Sequence, residues 1–230
     1  AGALFDARRL SIPAHSIADL TLTDLPYDLR VLRADLSTAD ALPLDDTAWA
    51  MHTPPASGRV LLVSEGNLFL ERALGALPAV ELTRLSPDAP LPPSQEGTEG
   101  RYDLYVYDST AVSSTLPSGN LWLVGPTTLV GGGLPIGVGG GFTATTITRV
   151  AAEDPLLRYV DLSDVHILQA RAVEPPPGAR VLVESEGGPL LFVAERPDRR
   201  LAVLTFDLRD SDLPLQIAFP ILTVNLVDWL

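Results

Sequence analysis

Residues 59–230 are punctuated by short apolar runs that do not alternate with polar residues. RVLLVS (59–64), DLYVYD (103–108) and NLWLVG (120–125) are nearly continuous. A run of that kind fits a strand covered on both faces, because a half-exposed strand shows polar residues at every second position. Between the first two lies NLFLERALGAL (67–77), with Leu68, Phe69, Ala73, Leu74 and Leu77 at helical spacing. Asn67 is a natural N-cap and Pro78 a natural stop. VELTRL (80–85) supplies a further strand, and SPDAPLPPSQEGTEG (86–100) reads as a proline-rich surface loop. This order of elements predicts an α/β fold built on an open, largely parallel sheet.

FTATTITRV (142–150) is rich in β-branched residues and predicts a strand. DVHILQARAV (164–173), ARVLVES (179–185), PLLFVAE (189–195) and RLAVLTFD (200–207) predict four more, with PPPG and EGG as turns. Asp212 can cap a last helix that carries Pro214 in its first turn and runs to Trp229.

Residues 1–53 follow another pattern. RRLSIPAH (8–15), SIADLTLTDL (16–25), DLRVLRADL (28–36) and TAWAMH (47–52) alternate with period two and are separated by Pro, Asp and Ser. They predict four half-buried antiparallel strands. A sandwich needs about seven strands, so 1–53 reads as a partial β-sandwich segment, with 54–58 as linker and 59–230 as the α/β domain. Unpaired strand edges in such a segment predict a homodimer formed through the N-terminal strands. The start at Ala1 rather than Met reads as a piece of a longer protein.

Charge removes several classes of partner. The chain has 29 acidic and 16 basic residues, a net charge of −13, and every basic residue is arginine. Such a surface repels polyanions, so no nucleic-acid partner is expected. Cysteine is absent, which excludes disulfides, thiolate metal sites and cysteine nucleophiles. The most apolar stretch, 213–230, is interrupted by Gln216, Pro220, Asn225 and Asp228 and reads as a buried helix rather than a membrane span.

Candidate chemistry is sparse. VGGGLPIGVGGG (130–141) suggests a phosphate cradle, and Gly139, Gly141 and Ala144 meet the looser dinucleotide spacing. The threonines that follow disfavour the helix start that such a cradle needs, and without lysine there is no P-loop. A flexible loop or tight hairpin is the expected structure, and no cofactor is expected. No G-x-S-x-G elbow occurs. Ser64 and Ser109 sit at strand carboxyl ends, where open sheets place functional groups. His15, His52 and His166 are the available bases. Asp207, Asp210 and Asp212 form a weak candidate site for a hard cation, against helix capping as the plain alternative. Asp45 and Asp46 read as turn residues. Histidines so far apart give no zinc pattern.

Taken together, RVLLVSEGNLFLERALGAL, YDLYVYD, LPSGNLWLVGP, DPLLRYVDLSDVHI and FDLRDSDLPLQIAFPILTVNLVDWL resemble the C-terminal part of a family of bacterial membrane proteins. That family has an aerotolerance-regulator (Bat-type) N-terminal region and a von Willebrand factor A domain. In it a β-sandwich precedes a class I glutamine amidotransferase-like domain, and DALPLDDTAWAM (40–51) is similar to the last strand region of that sandwich. The resemblance covers nearly the whole chain and implies a flavodoxin-like open sheet. The turn matching the amidotransferase cysteine reads Gly125-Pro126-Thr127, and acids occupy the later histidine position near LTFDLRD. Glutaminase chemistry requires the missing thiolate. The resemblance therefore implies a non-catalytic interaction or structural module whose partners are proteins or the parent's own upstream domains. It further implies a parent held in a membrane by segments outside this stretch, with this part extracytoplasmic. Any ligand would sit near Ser64, Glu65, Asn67, Ser109 and Pro126, though Glu65 and Asn67 also suit helix capping. Two rival readings are a hydrolase or sugar-active enzyme using Ser or Asp in that cleft, and a calcium-stabilised adhesion module.

Overall fold

Strands joined by a crossover of a dozen or more residues can lie parallel, whereas strands joined by a few residues must lie antiparallel. Both regimes occur in this chain, and together they decide its architecture. The computed structural model describes residues 4–22, 25, 29, 31–37, 45–51, 58–90, 102–110, 117, 119–127 and 136–230. Two units result, Ala1–Pro54 and Pro55–Leu230. His52, residues 54–57 of the expected linker and 130–135 of the glycine stretch lie outside the described residues.

In the first unit, β1 (Val31–Asp35) pairs antiparallel with β2 (Thr47–Met51), Val31 facing Met51 and Asp35 facing Thr47. Arg33 lies over the Trp49 ring at 5.1 Å. Asp35 accepts hydrogen bonds from Arg33 Nε at 2.8 Å and Thr47 Oγ1 at 2.9 Å. No described residue of this unit is fully buried. The strands expected at 8–15 and 16–25 are not formed among the described residues. There the chain is irregular, with a turn at Pro13–Ser16 closed by a 3.2 Å backbone bond. Alternation makes a segment able to face two environments, but a strand also needs a partner ladder, and none is present here.

The second unit holds an eight-stranded mixed sheet in the order β4-β3-β5-β6-β12-β11-β10-β8. Its parallel half comprises β3 (Gly58–Val63), β4 (Val80–Leu85), β5 (Leu104–Asp108), β6 (Asn120–Val124) and β12 (Arg200–Leu204). Every neighbouring pair in that half is parallel, and counted along the chain the order is 2-1-3-4-5. The antiparallel half comprises β8 (Ile147–Val150), β10 (Arg180–Ser185) and β11 (Gly188–Glu195). The expectation of a largely parallel sheet is thus corrected. The links 185–188 and 195–200 are far too short for crossovers, so β10, β11 and β12 fold as a meander.

Helix α1 (Leu68–Gly75) starts where expected, with the Asn67 side chain accepting hydrogen bonds from the amides of Phe69 and Leu70. Helix α2 (Ala218–Trp229) starts later than expected. Pro214 lies in a 3-10 turn, Leu213–Leu215, and it is Pro220 that occupies the first turn of α2. Asp212 makes no side-chain cap. A proline in the first helical turn costs little, because its missing N–H would have no intrahelical partner anyway.

Both helices share one face of the sheet. Leu70, Leu74, Phe219, Leu222 and Leu226 form a single cluster with Val60, Leu62, Val106, Trp122 and Leu204. The opposite face gathers Leu61, Val63, Tyr105, Tyr107, Leu123, Phe192 and Val203. α2 is pinned at its far end. Asn120 Nδ2 donates to Leu230 O, and Arg200 donates to Trp229 O at 2.6 Å while lying 5.4 Å from that tryptophan's ring.

A separate ribbon pairs β7 (Gly137–Thr145) with β9 (Ile167–Glu174), antiparallel and bulged between Val138 and Gly141. Gly137–Gly141 therefore belong to a strand rather than to the loop expected. Backbone pairing with β9, which asks nothing of side chains, accommodates them. Strand β9 crosses the carboxyl end of β12. Ile167 bridges to Ser211, and Arg171 N donates to Thr205 O at 2.9 Å. Ala170 joins the helix-side core, whereas Val173 joins the opposite one.

Candidate functional site

The carboxyl ends of β3, β5, β6 and β12 converge, as parallel strands of an open sheet must. Backbone bonds continue each ladder one residue past its strand. Ser64 N donates to Leu85 O at 3.1 Å, Ser109 N to Val124 O at 2.8 Å and Gly125 N to Leu204 O at 2.9 Å. Beyond those bonds two side-chain networks lie beside each other.

Asp108 centres the first. It is 2% exposed, and its carboxylate accepts from Ser64 Oγ at 2.7 Å and Asn67 Nδ2 at 3.1 Å. Burial pushes its carboxyl above the usual range, partly offset by those two hydrogen bonds and by Arg209, whose Nη2 is 3.8 Å away. Ser64 Oγ also accepts from Gly66 N at 3.0 Å. Asn67 thus faces two ways, capping α1 through its oxygen and holding Asp108 through its nitrogen.

Asp207 centres the second. Its carboxylate accepts from Ser109 Oγ at 2.7 Å and from both Nε and Nη2 of Arg209, the shortest contact being 2.7 Å. It also caps the 3-10 turn Leu208–Asp210 by accepting from Arg209 N at 2.8 Å. Burial alone would raise this carboxyl, but the hydrogen bonds from Arg209 and Ser109 outweigh it and hold it below the usual range. Ser109 sits at φ +49°, in the left-handed region that costs a non-glycine residue about 1–2 kcal/mol. Its bond to Asp207 ties the end of β5 to the end of β12 across β6. Gly125 passes between them at φ +53°, so close that a Cβ there would lie 2.9 Å from Ser109 Oγ and 3.0 Å from Asp207 N.

Beside Asp207 lies a pocket of about 110 Å3. Ser109, Gly125, Thr127, Thr205, Phe206, Asp207 and Asp210 line it from the strand ends, and Gln169, Ala170 and Arg171 from β9. The structure therefore distributes the sequence-derived residues unevenly. Ser109 lines the pocket. Ser64 and Asn67 are bound to Asp108, Glu65 is exposed, and Pro126 is buried without lining the pocket. Nor do Asp207, Asp210 and Asp212 act together. Asp212 turns away to accept from His166 N at 2.7 Å and to pair with His166 Nδ1 at 2.8 Å. Among the described residues no group of three acids or histidines is placed to hold a metal ion. His166 reaches neither serine, and His15 lies in the irregular N-terminal chain. Asp45 and Asp46 form the bend entering β2, as expected of turn residues.

Sequence reasoning missed Asp108, Gln169, Arg171 and Arg209. A closing aspartate on an apolar strand was a signal for the first. The β9 residues carry no local signal, since only the crossing of β9 over β12 brings them to the site.

Among the described residues no helix is long and apolar enough to cross a membrane. No protein-family model matches the chain, and no curated protein does. Solved structures do. Cytoplasmic Protein STM3548 from Salmonella typhimurium aligns with a TM-score of 0.59 at 14% identity, over 75% of this chain and 98% of that one. Cytoplasmic Protein STM1381 from Salmonella typhimurium LT2 aligns with a TM-score of 0.54 at 11% identity, over 86% and 94%. An exo-beta-1,4-mannosidase, Op5Man5, from Opitutaceae bacterium strain TAV5 reaches a TM-score of 0.43 over 32% of its length, a level from which no shared fold follows. At such identities the first two likenesses concern architecture alone: the chain shares a mixed α/β fold with a large mixed sheet and few helices.

Proposed function

We propose that the chain is a non-catalytic interaction module, a flavodoxin-like sheet of the amidotransferase-like type belonging to a membrane-anchored von Willebrand factor A-type protein. The strand order 2-1-3-4-5 in the parallel half is the flavodoxin-like order, which supports the finer fold. One observation carries the functional reading. At the strand carboxyl ends, where such folds keep their chemistry, Ser64 and Ser109 are both spent on aspartates. Ser109 donates to an aspartate already held ionised by Arg209, so that carboxylate is a poor proton acceptor. Ser64 donates to Asp108, which burial makes reluctant to ionise. A nucleophilic serine needs a general base within hydrogen-bond reach, and among the described residues no histidine is hydrogen-bonded to either serine.

The β1–β2 ribbon supports a protein partner. A two-stranded sheet is marginal in water on its own, and this one fully buries none of its described residues. A second copy pairing through these strands, or the parent's own upstream domains, would complete it. An extracytoplasmic site for the module follows from the same resemblance and belongs to this proposal.

A fluorophosphonate probe followed by intact-mass analysis tests the catalytic part. Unmodified protein is expected; stoichiometric labelling of Ser64 or Ser109 would overturn the proposal.

A further inference from the structure

In a chain with 29 acids for 16 arginines, an arginine in a pocket should find a carboxylate. Arg171 does not. Its backbone N–H bonds to Thr205 O, but its half-buried guanidinium pairs with nothing among the described residues. Asp210, lining the same pocket, accepts no side-chain hydrogen bond and forms no ion pair among the described residues. Both residues line one cavity, and no ion pair joins them. They are the complement of a molecule bearing an anion at one end and a hydrogen-bond donor at the other.

The cavity limits what that molecule can be. At about 110 Å3 it has room for several waters, each needing about 10–15 Å3 by this measure. It falls well short of the roughly 300–1,000 Å3 of pockets that hold drug-sized ligands. Its size suits a small molecule better than a whole nucleotide or oligosaccharide. Charge narrows the choice further. Asp207 and Asp210 both line the pocket, and a dianion such as phosphate would meet both. A planar carboxylate carries one charge and matches the guanidinium fork with two parallel hydrogen bonds. Asp207 is committed to Arg209 and Ser109, which leaves Asp210 as the acceptor for the donor end. The Ser109 hydroxyl gives its proton to Asp207 and retains lone pairs for the same donor.

We propose that this pocket binds a small monocarboxylate bearing a hydroxyl or ammonium group, with its carboxylate on Arg171 and its donor on Asp210. The inference goes beyond the non-catalytic reading and does not depend on it, since a serine label and a bound ligand are read separately.

Thermal melts of the full chain with glycolate, acetate and inorganic phosphate test it. Glycolate is expected to raise the melting temperature saturably. Acetate, lacking the donor, should bind more weakly, and phosphate should not bind. Arg171→Gln should weaken glycolate at least about tenfold, the loss expected when a charged hydrogen-bond partner is removed. Arg171→Lys keeps the charge, loses the fork, and should fall between. Asp210→Asn should retain acetate binding and remove the advantage of glycolate. Arg72→Gln, on the exposed side of α1, should change nothing. Unliganded melts confirm that each variant folds. The proposal is overturned by no saturable shift with glycolate, by an unchanged shift in Arg171→Gln, or by phosphate binding as well as glycolate does.

Discussion

Gly125→Ala offers the sharpest test of how the strand ends are assembled. The change adds one methyl group, and its cost has two parts that the structure separates. The first is conformational. Gly125 sits at φ +53°, where a residue with a Cβ costs about 1–2 kcal/mol. The second is steric. The new Cβ would lie 2.9 Å from Ser109 Oγ, 3.0 Å from Asp207 N and 3.1 Å from Asp207 Cα. Two of those atoms are backbone, held between the end of β12 and the 3-10 turn that Asp207 caps. The serine could swing away only by giving up its 2.7 Å bond to Asp207. Overpacking of this kind costs a further 1–3 kcal/mol or so, for a total of about 2–5 kcal/mol. Gly178 provides the control. It has φ +82°, and nothing lies within 4 Å of a Cβ built there. Gly178→Ala should therefore show the conformational cost alone, about 1–2 kcal/mol. Urea unfolding of both variants, followed by circular dichroism at matched m-values, measures the difference. If Gly125→Ala falls within about 0.5 kcal/mol of Gly178→Ala, inside the scatter of neutral substitutions, the tight three-strand junction is wrong.

Two further expectations concern the carboxylates. Asn67→Asp keeps the helix cap but sets a second acid against buried Asp108, so it should cost about 2–4 kcal/mol near pH 7. Raised acids lose stability as pH rises through their folded pKa, so the deficit should shrink as the pH is lowered toward the ordinary value of 3.8; an equal deficit at both ends of a pH series of melts would refute the contact. Arg209→Gln removes the bidentate partner of Asp207 and should cost about 1–2 kcal/mol at neutral pH, discounted for partial exposure. Because the folded Asp207 carboxyl is depressed, that stabilisation is present above 3.8 and lost as pH falls below it, so wild type and variant should converge in acid; a constant gap would count against the pairing.

How much of this was legible depends on the range of the interaction that decides each feature. The β3–α1–β4 unit was readable because its evidence is local: a doubly covered strand is apolar throughout, and Asn67 and Pro78 bound the helix. The antiparallel half was readable in principle, since the link between Ser185 and Gly188 is too short for a crossover. Asp212 illustrates the opposite case. By sequence it precedes a helix with a proline in the next turn, yet its carboxylate serves His166, 46 residues away.

The strand and helix segments of residues 59–85, the net charge of −13 and the lack of cysteine can be read from the chain directly. Composition and short-range periodicity suffice for each of these. Only in the tertiary structure does 4–22 form no strand among the described residues, Gly137–Gly141 join a ribbon, and Ser64 and Ser109 bond to different aspartates. That structure alone brought Arg171 to the pocket. Within β9 that residue stands between Ala170 and Ala172 like any surface arginine, and nothing around it announces a role. Its place comes from β9 crossing the end of β12, a contact between residues more than thirty positions apart. Pairings over that range depend on which ladder each strand finds, and no local pattern of residues carries that information.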